Sequence, residues 1–191
     1  MEPACHLEEN GKSHRRVVAL ATLPFLAVFL LSPAAMEAAD TPDSTEITKL
    51  LKDARAEAGE LRYDAAEAET LTRSNPTWNT YAARLVMVKE HINKTGKLLA
   101  KLKQSETTGF PWQQTAIKRI EPLLKELAAN MEATIKHLNQ NQARVHLPEF
   151  KEYIKANYEL AVDLEALIRD FVIYGATKPK FDRLGETLET T

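Results

Sequence analysis

The apolar residues of this chain return every three or four positions in four successive runs. Ile47, Leu51, Ala54, Ala58, Leu61, Ala65 and Ala68 make the first, and Tyr81, Leu85, Val88, Ile92, Thr95, Leu99 and Leu102 keep the same phase in the second. Ile117, Ile120, Leu124, Leu127, Met131, Thr134 and Leu138 form the third, and Phe150, Ile154, Asn157, Ala161, Leu164, Ile168 and Phe171 the fourth. Steps alternating between four and three residues trace a narrow stripe along an α-helix, the seam by which helices pack on one another. No stretch alternates with the period of two that a strand needs. The pattern predicts an all-α fold of four helices, at about 43–73, 76–105, 111–139 and 148–175.

Proline supplies the punctuation. Pro42, Pro76, Pro111 and Pro148 lie 34, 35 and 37 residues apart, each at the head of a run. There the missing N–H is harmless, because first-turn N–H groups have no partner within the helix. The spacing is that of some helical repeats, but each interval here holds one long helix instead of a helix pair. Asp43 with Glu46 has capping-box spacing, Gly109 separates the second and third runs, and Gly175 follows the fourth as a candidate left-handed cap. Connections near residues 74, 107 and 143 are short enough to force neighbours antiparallel. The architecture predicted is an antiparallel up-down-up-down four-helix bundle with helices of roughly 45 Å. Pro122 is expected to kink the third helix. Phe181, Leu184 and Leu188 keep some phase after the fourth run, but Pro179 and Gly185 interrupt it. Residues 40–177 are therefore read as the bundle and 178–191 as a short terminal helix or flexible tail.

A different pattern precedes the stripes. Lys12, Arg15 and Arg16 lead into an apolar run from Val17 to Leu31, followed by Ser32-Pro33-Ala34-Ala35 and Ala38-Ala39. Basic, apolar, then small is the order of a secretory signal. The run is shorter than the roughly 20 residues that cross a bilayer, and Pro24 breaks it. Residues 1–39 are read as a signal peptide, cut between about 34 and 39, by the general export route or, through Arg15-Arg16, by the twin-arginine route. The alternative is an uncleaved segment that anchors the chain in the inner membrane. Cys5 falls in the part expected to be lost, and no cysteine follows the apolar run to carry a lipid.

Charge changes the picture more than bulk composition does. The 191 residues carry 25 Lys+Arg and 27 Asp+Glu, a net charge of -2, which excludes nucleic-acid binding by bulk attraction. Six Gly, nine Pro and a single Cys exclude collagen-like, low-complexity and disulfide-scaffold classes. The near-neutral total divides unevenly: residues 43–73 hold five basic and eight acidic groups, residues 75–105 six basic and one acidic. The fourth run is acidic again, so the basic second helix is expected beside acidic ones. Lys94, Lys97 and Lys101 recur at helical spacing, either a solvated face or a contact for anionic lipid headgroups through helix two. The first stripe is mostly alanine, which buries little area, so helix one is the helix that packing holds least.

The stripes offer little chemistry. Di-iron bundles need Glu three residues before His, and Val88, Thr134 and Ala143 occupy that place before His91, His137 and His146. Covalent haem needs Cys-x-x-Cys-His, which is absent. Non-covalent haem would draw on Met87, His91, Met131 and His137. The expected register sets His91 level with Leu124 and His137 level with Trp78, roughly 20 Å apart, too far to share a metal. His137 and His146 beside Glu149 read as loop and cap histidines rather than a zinc site. Ser44, Ser74 and Ser105 sit where serine caps helices, and no nucleophile elbow, phosphate loop or zincin motif occurs. No catalytic, cofactor or metal residue is assigned, and the chain is read as a non-enzyme. Thr95 and Asn157 on the stripes read as buried polar groups that fix register, or as the lining of a small pocket. Trp78 and Trp112 read as plugs at opposite ends of the rod.

Lys89-Glu90-His91-Ile92-Asn93, Pro111-Trp112-Gln113-Gln114 and Asp170-Phe171-Val172 with Tyr174-Gly175 resemble a group of uncharacterised bacterial proteins that bear signal peptides, over about residues 45–190. The resemblance implies bacterial export and a helical fold and carries no activity. The function expected is that of an exported, periplasmic or secreted module, interacting with an unknown protein or other component of the cell envelope, or structural within it. The alternatives are a bundle that holds a small hydrophobic molecule or haem near Met87, Met131 and Asn157, and a reversible binder of lipid surfaces.

Overall fold

The computed structural model describes residues 44–189, so the export segment, Cys5, Pro42 and Asp43 lie outside the described residues. Four helices account for most of that length: α1 Thr45–Leu71, α2 Trp78–Gln104, α3 Pro111–Gln140 and α4 Pro148–Glu189. Single 3₁₀ turns at Glu106–Thr108 and Gln142–Arg144 lie in the second and third connections. Among the described residues the regular structure is entirely helical.

Ser44, rather than the expected Asp43, caps α1. Its backbone is extended and its Oγ accepts the Ile47 N–H at 3.3 Å, satisfying one of the first-turn donors. Gln113, near the start of α3, ties down the same corner. Its amide oxygen accepts from the N–H groups of Ser44 and Phe110, and its Nε2 donates to the Ser44 carbonyl and the Thr48 hydroxyl. At the other end Asn75 holds the left-handed turn between α1 and α2 with φ of 49°, a conformation asparagine tolerates better than most residues.

Most of the buried side chains are those of the four stripes. Ile47, Leu51, Leu61, Tyr81, Leu85, Ile117, Leu127, Phe150 and Leu164 are all 2% exposed or less. Each helix packs on two others: α1 and α3 each lie against α2 and α4. Asp64 meets Arg84 while Glu57 meets Lys94, so partner numbers fall along α1 as they rise along α2, and the two run in opposite directions. Thr134 with Asn157 and Arg119 with Phe171 show the same reversal between α3 and α4.

Three local expectations are corrected. The α2–α3 register differs from the one expected: Ile92 shares a cleft with Ala128, and Lys103 pairs with Glu121. His91 therefore lies more than a turn away from the level of Leu124. The 3₁₀ turn at 106–108 carries the chain beyond the end of α2 before α3 begins, which frees Trp112 and Gln113 to reach α4 and α1. Gly175 does not end α4. A Cβ there would lie 2.4 Å from Trp112 Cη2, so the glycine is the notch that receives the indole. Nor do Pro179 and Gly185 break the helix, which runs to Glu189 in place of a short terminal helix or tail. Thr177 Oγ donates to the carbonyls of Ile173 and Tyr174, and Lys178 pairs with Asp182 at 2.6 Å, so side-chain contacts brace the turns on either side of the proline. Pro122 is likewise carried inside α3.

Candidate functional site

A charged cluster, a cleft and an exposed stripe stand out from the packing. The cluster sits between α1 and α2. Asp64, one residue before the stripe position Ala65, is buried, its side chain 5% exposed. Arg84 Nη1 donates to its Oδ1 at 2.8 Å, and Arg84 Nη2 lies 3.7 Å from Glu67. His91 Nε2 lies 3.3 Å from the other Asp64 oxygen, while its Nδ1 contacts Glu57. Both ring nitrogens thus face carboxylates. Lys94 completes the row, 3.0 Å from Glu90 and 3.8 Å from Glu57. Its hydrogen bond with Glu90 raises the Lys94 pKa and lowers that of Glu90.

This cluster resolves two of the sequence candidates. His91 serves α1, and His137 lies under the rings of Phe150 and Tyr153 with Nδ1 3.7 Å from Glu149. The two histidines belong to different interfaces. Among the described residues no group of three or more His, Cys, Asp or Glu side chains is placed to hold a metal. Of the three lysines at helical spacing, Lys94 is engaged by carboxylates and Lys97 borders the cleft between α2 and α3.

The cleft runs between α2 and α3. One part, about 370 Å³, is bordered by Lys89, Ile92, Asn93, Met131 and Ile135. The other, about 550 Å³, shares Ile92, Asn93 and Ala128 and extends past Gly96, Ala100, Leu99 and Leu124 to Lys97 and Lys125. Glycine and alanine at 96, 100 and 128 leave the space between the helices unfilled. The result is an apolar floor with lysines at its edge. Met131 reaches it from the core, but Met87 is 44% exposed beside Arg84, so the two methionines do not form one pocket. Asn157 lies on α4, where it donates to the Thr134 hydroxyl at 2.7 Å.

No protein-family model, curated protein or solved structure matches this chain.

The stripe is on α4. Tyr174 is 48% exposed, Phe181 69%, Leu184 59% and Leu188 78%. At its root Trp112, Arg119, Phe171 and Tyr174 border an open groove of about 350 Å³ between α3 and α4. Trp112 packs edge-on against Tyr174, and the Arg119 guanidinium lies 5.7 Å from the centre of the Phe171 ring. The sequence places Phe181, Leu184 and Leu188 on one face, but the two helix breakers among them conceal that this face belongs to one continuous helix.

Proposed function

We propose that the chain is an exported, non-enzymatic module of the bacterial cell envelope, an antiparallel up-down-up-down four-helix bundle released from a signal peptide at residues 1–39, and that it works by association. The basic, apolar and small segments at the N-terminus support export. The observation that carries association is the exposed stripe of α4, where three large apolar side chains in succession present most of their surface to water. Scattered apolar residues on a surface need no explanation, but a row of them on one face of a helix marks a contact. A photo-crosslinking residue at Phe181 in living cells tests this, with Arg73 as the control. A discrete adduct in the envelope fraction from position 181 alone is expected. Equal labelling from both positions, or a chain retained in the cytosol, refutes the reading.

The α2–α3 cleft favours a second reading, an envelope lipid or other anionic amphiphile laid along the apolar floor with its head among Lys89, Lys97 and Lys125. Haem fits this site poorly because His91 and His137 turn to α1 and α4. Displacement of a fluorescent fatty acid by oleate, weakened by Lys97→Glu, is the expected result. Absence of binding at low salt removes this reading.

A further inference from the structure

The cleft between α2 and α3 is charged unevenly along its length. At one end Lys89 of α2 and Glu132 of α3 border it together, and their charges offset. The part that passes Gly96 and Ala100 has Lys97 and Lys125 at its edge and no carboxylate. Lys97 has no carboxylate partner among the described residues. One turn further along α3, Glu121 is shared by Lys103 and Lys125, each 2.7 Å from the same oxygen. The two lysines lower its pKa to about 2, so it is ionised at neutral pH and cancels only one of them. Lys97, Lys103, Lys125 and Glu121 therefore leave a net charge of +2 at this end.

The dimensions limit what the apolar part can hold. From Lys97 to Lys89 along α2, and from Lys125 to Ile135 along α3, the trough extends about 12–15 Å. That is close to half of the roughly 30 Å hydrocarbon thickness of a bilayer, the depth one acyl chain covers there. A Cβ added at Gly96 would meet nothing within 4 Å, so the space above that residue is open. The floor is recessed: Ile92, Leu99 and Leu124 are each 8% exposed or less. A single chain lying in the trough reaches it, and a flat surface does not.

We propose that the cleft takes a single-chain lipid with a phosphate-monoester head, the head between Lys97 and Lys125 and the chain running past Ile92 towards Met131 and Ile135. A phosphate monoester carries about -1.5 to -2 charges at pH 7, which matches the unbalanced lysines, and lysine suits it as a point charge. A carboxylate head leaves one of those positive charges unmatched. The reverse direction sets the head beside Glu132. This inference rests on the lipid reading of the cleft given above and adds the head group, the number of chains and their direction.

Displacement of a fluorescent fatty acid from the full chain at low salt is the first test, with dodecyl phosphate, laurate, dodecyltrimethylammonium and a two-chain phosphatidate as competitors. Dodecyl phosphate is expected to act at about two- to fivefold lower concentration than laurate, the worth of one more exposed charge contact, and the cation to be the weakest. Lys97→Gln brings phosphate and laurate to parity. Gly96→Leu fills the trough and abolishes binding without lowering the thermal midpoint, because leucine favours the helix and nothing lies in its way. Direction is read by NMR with stearates that bear a nitroxide near the carboxylate or near the methyl end. The first is expected to broaden the amides of Lys97 and Lys125, the second those of Lys89 and Ile135. Laurate or the phosphatidate competing as well as dodecyl phosphate, or the reversed broadening, overturns the proposal while the lipid reading of the cleft stands. No displacement by any competitor, or full binding by Gly96→Leu, removes both.

Discussion

Asp64 is where the packing of α1 is most sensitive to one atom group. Replacing it by alanine removes the carboxylate that Arg84 and His91 share. If all three groups were sealed from water, breaking the set would cost about 3–5 kcal/mol; for a surface pair the figure is about 0–1. The structure lies between. The Asp64 side chain is 5% exposed, but Arg84 is 27% exposed and keeps Glu67 within 3.7 Å, and His91 keeps Glu57. The two stranded side chains are thus partly solvated and partly re-paired, and Asp64→Ala is expected to cost about 2 kcal/mol. Arg84→Ala, which leaves the buried carboxylate to His91 alone, should cost at least as much. A double-mutant cycle should return a coupling of about 1 kcal/mol. Urea unfolding followed by far-UV circular dichroism is the assay, with Arg73→Ala as the control, since the Arg73 side chain is 75% exposed in its pair with Glu69. An apolar pair of similar volume, Asp64→Leu with Arg84→Met, should recover the lost stability, because a buried ion pair repays little more than its own desolvation. If Asp64→Ala unfolds within 0.5 kcal/mol of Arg73→Ala, taken as about the spread of surface substitutions, the cluster does not hold α1 to α2.

The remaining predictions follow from single contacts. Gly59→Ala should stabilise by about 0.5–1 kcal/mol because nothing lies within 4 Å of its added Cβ, whereas Gly175→Ala should destabilise, the clash with Trp112 at 2.4 Å outweighing the gain in helix propensity; equal shifts in thermal midpoint would refute the notch. The Tyr81 hydroxyl is buried without a hydrogen-bond partner, and burial raises its pKa, so Tyr81→Phe should raise stability by about 1 kcal/mol in the same assay. Glu121 accepts from Lys103 and lies equally close to Lys125, which together lower its pKa from 4.5 to about 2. A carboxylate so lowered contributes its stabilisation fully above the unfolded value and loses it as pH falls towards the folded one. Acid titration of the wild type against Glu121→Gln should therefore converge between pH 4.5 and about 2, and parallel curves across that interval would refute the bridge.

Stripe positions were readable because burial on a helix follows a period that the sequence displays directly. Thr95 and Asn157 were found by the same rule although polar, because position and not polarity marked them. Asp64 escaped it. The residue lies one step off the stripe, and nothing in the spacing of α1 shows that Arg84 and His91, 20 and 27 positions later, arrive on the same level. The α2–α3 register escaped for a related reason: a 3₁₀ turn adds axial length that loop residue counts do not reveal. Ser44 took the cap from Asp43 through backbone geometry, which one-residue ambiguity in the sequence leaves open. The cleft is a property of what is missing, three small residues on two helices, and periodicity in apolar residues is blind to it.

Gly175 shows why local punctuation misled at the end of α4. Glycine ends helices when the chain must turn, and here the chain has no need to turn, since the other three helices stop and α4 alone goes on. Two requirements meet at that residue. The indole of Trp112 needs a surface without a Cβ to close the core, and the apolar face of α4 must pass from the inner side at Ile168 to the outer side at Tyr174 and Phe181. A glycine inside a helix costs about 1 kcal/mol against alanine, and proline four residues later removes a further backbone hydrogen bond. A helix that merely frayed after its packed part would have no use for three large apolar residues in heptad phase beyond those two breakers. The persistence of the stripe on the opposite face, across positions that weaken the helix, is what supports the proposal that this end of α4 makes a contact outside its own fold.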